Sequence, residues 1–140
     1  MKTVVSKEVH FRTKGVDDII DITPNVGDEL RKTGLKSGTV TVFVPGSTGA
    51  VTTIEYEPGL LKDMPAFMEK LIPKTKSYAH DKTWGDDNGY AHLRAALLGP
   101  SLTVPFNNGK MILGTWQQII FLEFDNRSRQ RRLVLQFMGV

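Results

Sequence analysis

Residues 101–139 read "SLTVPFNNGKMILGTWQQIIFLEFDNRSRQRRLVLQFMG". Turn-forming "NNGK" and "NRSRQ" break this stretch into "SLTVPF", "MILGTWQQIIFLEFD" and "RLVLQFMG", each rich in β-branched and aromatic residues, so the C-terminal third is expected to be β-structure joined by tight turns. In "IIFLEFD", Ile120, Leu122 and Phe124 face one way and Phe121, Glu123 and Asp125 the other. Glu123 therefore stands on a face between an aromatic residue and a second acid.

Working back from there, "VVSKEVHF" places Val5, Val9 and Phe11 on one parity and Ser6, Glu8 and His10 on the other, the pattern of a half-buried strand. "TVTVFVP" and "AVTTIEYE" are two further strands, separated by the polar loop "PGSTG" with Pro45 and Gly46 as breakers. Helices are expected where the period lengthens. One has Thr23 as N-cap, Pro24 at the first helical position, Val26, Leu30 and Leu35 inward, and Gly34 or Gly38 as its stop. A second, "PGLLKDMPAFMEKLIP", spaces Leu60, Leu61, Met64, Phe67, Met68 and Leu71 at helical intervals, with Pro65 implying a kink or a restart. A third is short, marked by Leu93, Ala96 and Leu97 and ended by "GP". Strands and helices mix without regular βαβ alternation, which argues for α+β with a mainly antiparallel sheet and a few helices. The 140 residues suffice for one compact domain, 1–140.

Composition narrows the chemistry. The net charge of +3 suits anionic small substrates as well as nucleic acid, but only Arg127, Arg129, Arg131 and Arg132 cluster, and they flank a turn without an aromatic array. They read as a solvated or subunit-facing turn, so no nucleic-acid partner is expected. The absence of cysteine removes disulfides, thiolate nucleophiles and Cys-ligated zinc, and any metal must use His and carboxylates. The charged, alternating N-terminal segment is unlike a signal peptide and no apolar run approaches about 18 residues, so we expect a cytoplasmic protein and no membrane partner.

Two of the three histidines fall in "HDKTWGDDNGYAHLRAALLG", residues 80–99. If Asp87 or Asn88 caps a helix there, His92 lies about one turn on and its ring can face the same pocket as His80 and Asp81. A histidine beside a carboxylate is a candidate general base, although caps and a partly buried polar residue would give the same spacing. His80, His92, Asp86 and Asp87 could instead hold a divalent metal, magnesium or zinc, but their spacing matches no compact motif such as HExxH. In "PGSTG", Ser47, Thr48 and the backbone N–H groups have the chemistry of a phosphate cradle, or of an ordinary connecting turn. In "LGTWQQ", Trp116 could stack on a ring and Gln117 read its edges, or Trp116 could be core and Gln117 solvated.

On "YAHD", "NGYAHLRAALLGP" and "SLTVPFNNGKMILGTWQQI", with Ser101, Gly109, Gly114, Thr115, Trp116 and Gln117 in place, the chain resembles the YjbQ-like family, also called the secondary thiamine-phosphate synthase family. The resemblance implies a homotrimer with pockets near subunit boundaries, and a weak thiamine phosphate synthase activity joining a pyrimidine pyrophosphate to a thiazole phosphate with loss of pyrophosphate. It implies catalytic roles for His80, Asp81, His92 and Glu123, and Asn88, Thr115, Trp116 and Gln117 match its pattern as substrate contacts, while Ser47 and Thr48 are expected substrate contacts from the chemistry of their own loop. The expected partner is a small phosphorylated heterocycle, with no organic cofactor. Many relatives carry a histidine followed by hydroxyls where this chain reads Gly46, Ser47, Thr48, so those positions supply no third histidine. The alternatives are a trimeric binding protein for a phosphorylated metabolite and a metal-assisted hydrolase.

Overall fold

A computed structural model describes residues 3–140. The strands are β1 (Thr3–Arg12), β2 (Ile19–Asp21), β3 (Gly38–Phe43), β4 (Gly49–Ile54), β5 (Ser101–Asn107), β6 (Lys110–Met111), β7 (Gln118–Glu123) and β8 (Gln130–Gly139). The helices are α1 (Thr23–Thr33), α2 (Pro58–Leu71), α3 (Asp81–Trp84) and α4 (Gly89–Leu98). Every strand pairing is antiparallel, in a five-stranded sheet ordered β1-β8-β3-β5-β6 and a three-stranded sheet ordered β2-β7-β4.

The two sheets pack through one apolar core. Val40 and Val42 of β3 and Leu133, Leu135 and Phe137 of β8 meet Val51 of β4 and Ile119 and Phe121 of β7. The second face of the small sheet, carrying Ala50, Ile120 and Leu122, packs against Met68 of α2 and Tyr90, Ala91 and Ala95 of α4. Strand β7 is thus the middle layer of an α+β domain. The alternation expected in "IIFLEFD" is correct, but neither face meets water, and residues 119–125 are all buried. A strand covered on both sides tolerates an acid only if that acid is paired.

Several local expectations shift. Thr23 is the first residue of α1 rather than its cap, because its hydroxyl accepts the Ile119 N–H at 2.8 Å and so ties the helix to β7. Val26 and Leu30 are buried as expected, and the helix stops at Gly34 with φ 73°. Helix α2 runs unbroken through Pro65, with Met68 its buried residue. Leu93, Ala96 and Leu97 mark a helix that exists, but they face outward, and α4 buries Tyr90, Ala91, Arg94 and Ala95 instead. Strands β3 and β4 are not a hairpin. They belong to different sheets, so residues 44–48 cross between the layers at the edge of the core.

Candidate functional site

That crossing loop supplies one wall of a small polar pocket. The pocket, about 380 Å³, is lined by Gly46, Ser47 and Thr48, by His80, Trp84, Asp86, Asn88 and His92, by Arg129 just before β8 and by Arg131 at its start. A larger groove of about 860 Å³ runs between α1 and the β5–β6 hairpin, along Pro24, Asp28, Arg31, Lys36 and Lys110. It holds neither histidine nor a buried acid, so the smaller pocket is the candidate site.

Its floor is a buried network of charges. Glu123, fully buried, accepts hydrogen bonds from Arg131 Nε at 2.9 Å and Arg131 Nη2, from the Thr13 hydroxyl at 2.8 Å and from the Asp125 N–H at 3.1 Å. Asp125, equally buried, accepts from Arg129 Nε at 2.6 Å, Thr48 Oγ1 at 3.2 Å, Asn88 Nδ2 at 3.3 Å and the Asn126 N–H at 2.8 Å. Burial alone would raise the Asp125 carboxyl, but hydrogen bonds from Arg129, Asn88 and the Asn126 N–H together hold it below the usual carboxylate range. Two acids and two guanidiniums therefore neutralise each other beneath the pocket.

Above the floor stand the histidines. The His80 and His92 rings lie 4.4 Å apart between centroids, tilted by 55°, so the expectation that they share one pocket is met. His80 Nε2 is 3.0 Å from Asn88 Oδ1 and 3.7 Å from Asp86 Oδ1. Asn88 occupies the N-cap position of α4, yet its side chain makes no capping bond. Asp81 takes that duty across space, accepting the Gly89 N–H at 2.9 Å and the Tyr78 N–H at 3.0 Å. Those two N–H groups hold the Asp81 carboxyl below the usual range. A Cβ on Gly89 would lie 2.7 Å from Tyr78 Cβ and 2.9 Å from Asp81 Oδ1, which is why only glycine starts this helix.

In the loop, Gly46 has φ 142°, and a Cβ there would lie 3.2 Å from Arg131 Nη1. Glycine thus leaves open the approach to the one Arg131 nitrogen that makes no hydrogen bond among the described residues. The Thr48 hydroxyl is committed, donating to Asp125 and accepting from Arg131 Nη2 at 2.9 Å. Ser47 is exposed.

Ser47, Thr48, His80, Asp86, Asn88 and His92 therefore come together. Asp81 acts as a cap, Glu123 reaches the pocket only through Arg131, and Asp87 does not line it. Thr115, Trp116 and Gln117 do not line it either. Trp116 is 72% exposed, so it is no core residue. Gln117 braces its own loop, accepting the Gly114 N–H at 3.0 Å and donating to Thr53 Oγ1 at 3.1 Å. The reading of the arginine run as a solvated turn is corrected for Arg129 and Arg131, which turn inward onto Asp125 and Glu123. Their signal was present in the sequence: 129 and 131 share the parity of the inward Leu133, Leu135 and Phe137. Arg132, on the other parity, pairs with Glu8 at 2.7 Å on the exposed side.

The fold and site define a two-sheet α+β domain with a histidine-bearing polar pocket at the crossing between the sheets. The chain belongs to the UPF0047 protein YjbQ-like family, whose sequence pattern matches residues 7–140. It is 46% identical to a UPF0047 protein of Archaeoglobus fulgidus over 92% of this chain and 98% of that one, and 34% identical to the UPF0047 protein YugU of Bacillus subtilis over 95% and 98%. Among solved structures it is similar to a YbjQ-like protein of unknown function from Sulfolobus solfataricus, with a TM-score of 0.93, 30% identity and complete coverage of both chains. A family protein from Clostridium acetobutylicum gives a TM-score of 0.84 at 33% identity over 94% and 98%. These likenesses establish the family and the fold.

Proposed function

We propose that the pocket seats a phosphoryl group of a small heterocyclic metabolite and that His92 moves a proton beside it, in a transfer of the thiamine phosphate synthase type that releases pyrophosphate. The observation that carries this reading is the meeting of the Gly46–Ser47 backbone, the unpartnered Nη1 of Arg131 and two adjacent imidazoles in a single small pocket. Fixed N–H donors and a guanidinium stabilise charge that grows on a departing phosphate. His92 makes no hydrogen bond to a side chain among the described residues, which leaves its ring nitrogens to the ligand. A divalent ion arriving with the pyrophosphate, magnesium or zinc, would neutralise its charge; among the described residues no three His or carboxylate groups are gathered to hold it. Trp116 serves a heterocycle at this pocket only if it comes from a neighbouring copy. The outward Leu93 and Leu97, 48% and 57% exposed, support the trimer that would bring one, since an apolar helix face gains by burial against another copy. Among the described residues no helix is long and apolar enough to cross a membrane.

The test is turnover of the pyrimidine pyrophosphate with the thiazole phosphate by the purified protein, with magnesium, with zinc and with chelator, beside His92→Asn. Product that disappears in a folded His92→Asn variant is expected. Full activity in that variant removes His92 from the reaction, and saturable binding without product turns the reading to a binding protein.

A further inference from the structure

Asp125 is fully buried and all of its roughly four acceptor positions are taken, by Arg129, Thr48, Asn88 and the Asn126 N–H. A carboxylate so surrounded accepts and does not donate, and its lowered pKa keeps it charged. The group that Asn88 presents to it must be the amide NH2, at 3.3 Å. Turning that amide over would set two oxygens against each other at a residue only 4% exposed. The Asn88 oxygen is then obliged to face His80 Nε2, at 3.0 Å. A second acceptor, Asp86 Oδ1, stands 3.7 Å from the same nitrogen. Both neighbours of Nε2 call for a proton on it.

We infer that Asn88 is a positioning residue that fixes the tautomer of His80, with the proton of the neutral ring on Nε2 and the lone pair on Nδ1. The chain Asp125, Asn88, His80 transmits the direction of a buried carboxylate to an imidazole at the pocket, as the partner of one ring nitrogen decides the state of the other. Nδ1 makes no hydrogen bond among the described residues, so it is the ring nitrogen left for a ligand. In the neutral ring it accepts. The substrate group it recognises is therefore a donor, such as a hydroxyl, an amino group or the O–H of a singly protonated phosphate. The division of labour follows: Arg131 Nη1 and the Gly46–Ser47 backbone take phosphate oxygens, while His80 takes a hydrogen. The tautomer stands on the network alone; only its meaning for the ligand rests on the function proposed above.

The experiment needs no ligand, so its failure is distinct from failure of that function. Long-range 1H–15N correlation spectra of the 15N-labelled full chain resolve the ring nitrogens of three histidines, told apart with His10→Gln and His92→Asn. They would be recorded about two units above the usual imidazole pKa of about 6.5. His80 should show an unprotonated Nδ1 and a protonated Nε2, while His92 shows the averaged shifts of an exchanging ring. In Asn88→Ala the two His80 shifts should move toward each other to that average. A protonated Nδ1, or averaged His80 shifts in the unchanged protein, overturns the inference. So does a folded Asn88→Ala in which the shifts do not move. Should that variant fail to fold, the spectrum of the unchanged protein still decides.

Discussion

Replacing Arg131 with methionine removes the guanidinium and keeps most of the side-chain volume. Glu123 would lose its bonds from Nε and Nη2 and retain only the Thr13 hydroxyl and the Asp125 N–H. Thr48 would lose the donor at 2.9 Å. Stripping the partner from a buried charge typically costs about 3–5 kcal/mol. Here the pocket borders the pair and water can reach the vacated side, so we place Arg131→Met near the lower bound, about 3 kcal/mol. For a domain of this length, with roughly 4 °C lost per kcal/mol, the melting temperature should fall by about 12 °C. Adding Glu123→Gln should restore a substantial part of the loss, because a neutral amide asks less of its surroundings than an unpaired carboxylate. Thermal and urea unfolding of the two variants beside the unchanged protein give the comparison. A loss below about 1 kcal/mol in the single variant, or a double variant no more stable than the single, would refute the view that this pair neutralises the middle layer.

Asp125 makes stability depend on acid. Its folded pKa is depressed, so its contribution is complete above the unfolded carboxyl value of about 3.9 and is lost as the pH falls through the folded value. Asp125→Asn should be less stable at neutral pH and should show a flatter decline below about pH 4, by up to about 1.4 kcal/mol per pH unit; equal slopes would contradict the assignment. Gly89→Ala forces a Cβ to within 2.7 Å of Tyr78 and should cost about 1–3 kcal/mol in urea unfolding, whereas an unchanged midpoint would mean that the segment from Tyr78 to Asp81 gives way freely. If the chain assembles as the trimer proposed above through the outward face of α4, Leu93→Glu with Leu97→Glu should lower the mass in light scattering to that of a monomer, and an unchanged mass would contradict that contact.

Most of the architecture is legible in residues 101–139 and in the alternating strands before them, since a period of two with β-branched residues has few other solutions. What stays hidden is which strands share a sheet. The loop "PGSTG" looks the same whether it closes a hairpin or crosses between layers, because the difference lies in long-range pairing with β7 and β8. For α4, Leu93 and Leu97 outrank Arg94 in hydropathy. Yet Arg94 is the residue buried, since its Nε and Nη2 meet the Ile72 carbonyl at 3.0 and 2.8 Å and its guanidinium lies 5.1 Å from the centre of the Tyr90 ring. At the site, the spacing of His80 and His92 was informative because a helix start lies between them. Asp81 and Glu123, expected in catalytic roles, are placed in other duties: Asp81 caps a helix and Glu123 holds Arg131. Arg129 and Arg131 look solvated in the sequence because their charge and the adjacent turn outweigh the inward parity they share with Leu133.

The central claim is that a phosphoryl group sits between the Gly46–Ser47 loop and the paired imidazoles. Titrating inorganic pyrophosphate into the full chain at constant ionic strength, while following the ring signals of all three histidines, tests it most directly. His10, on β1 beside Glu8 and outside the pocket, is the built-in control. The account predicts saturable shifts at His80 and His92 with His10 unmoved. Shifts of equal size at all three, or none at His80 and His92, would contradict it.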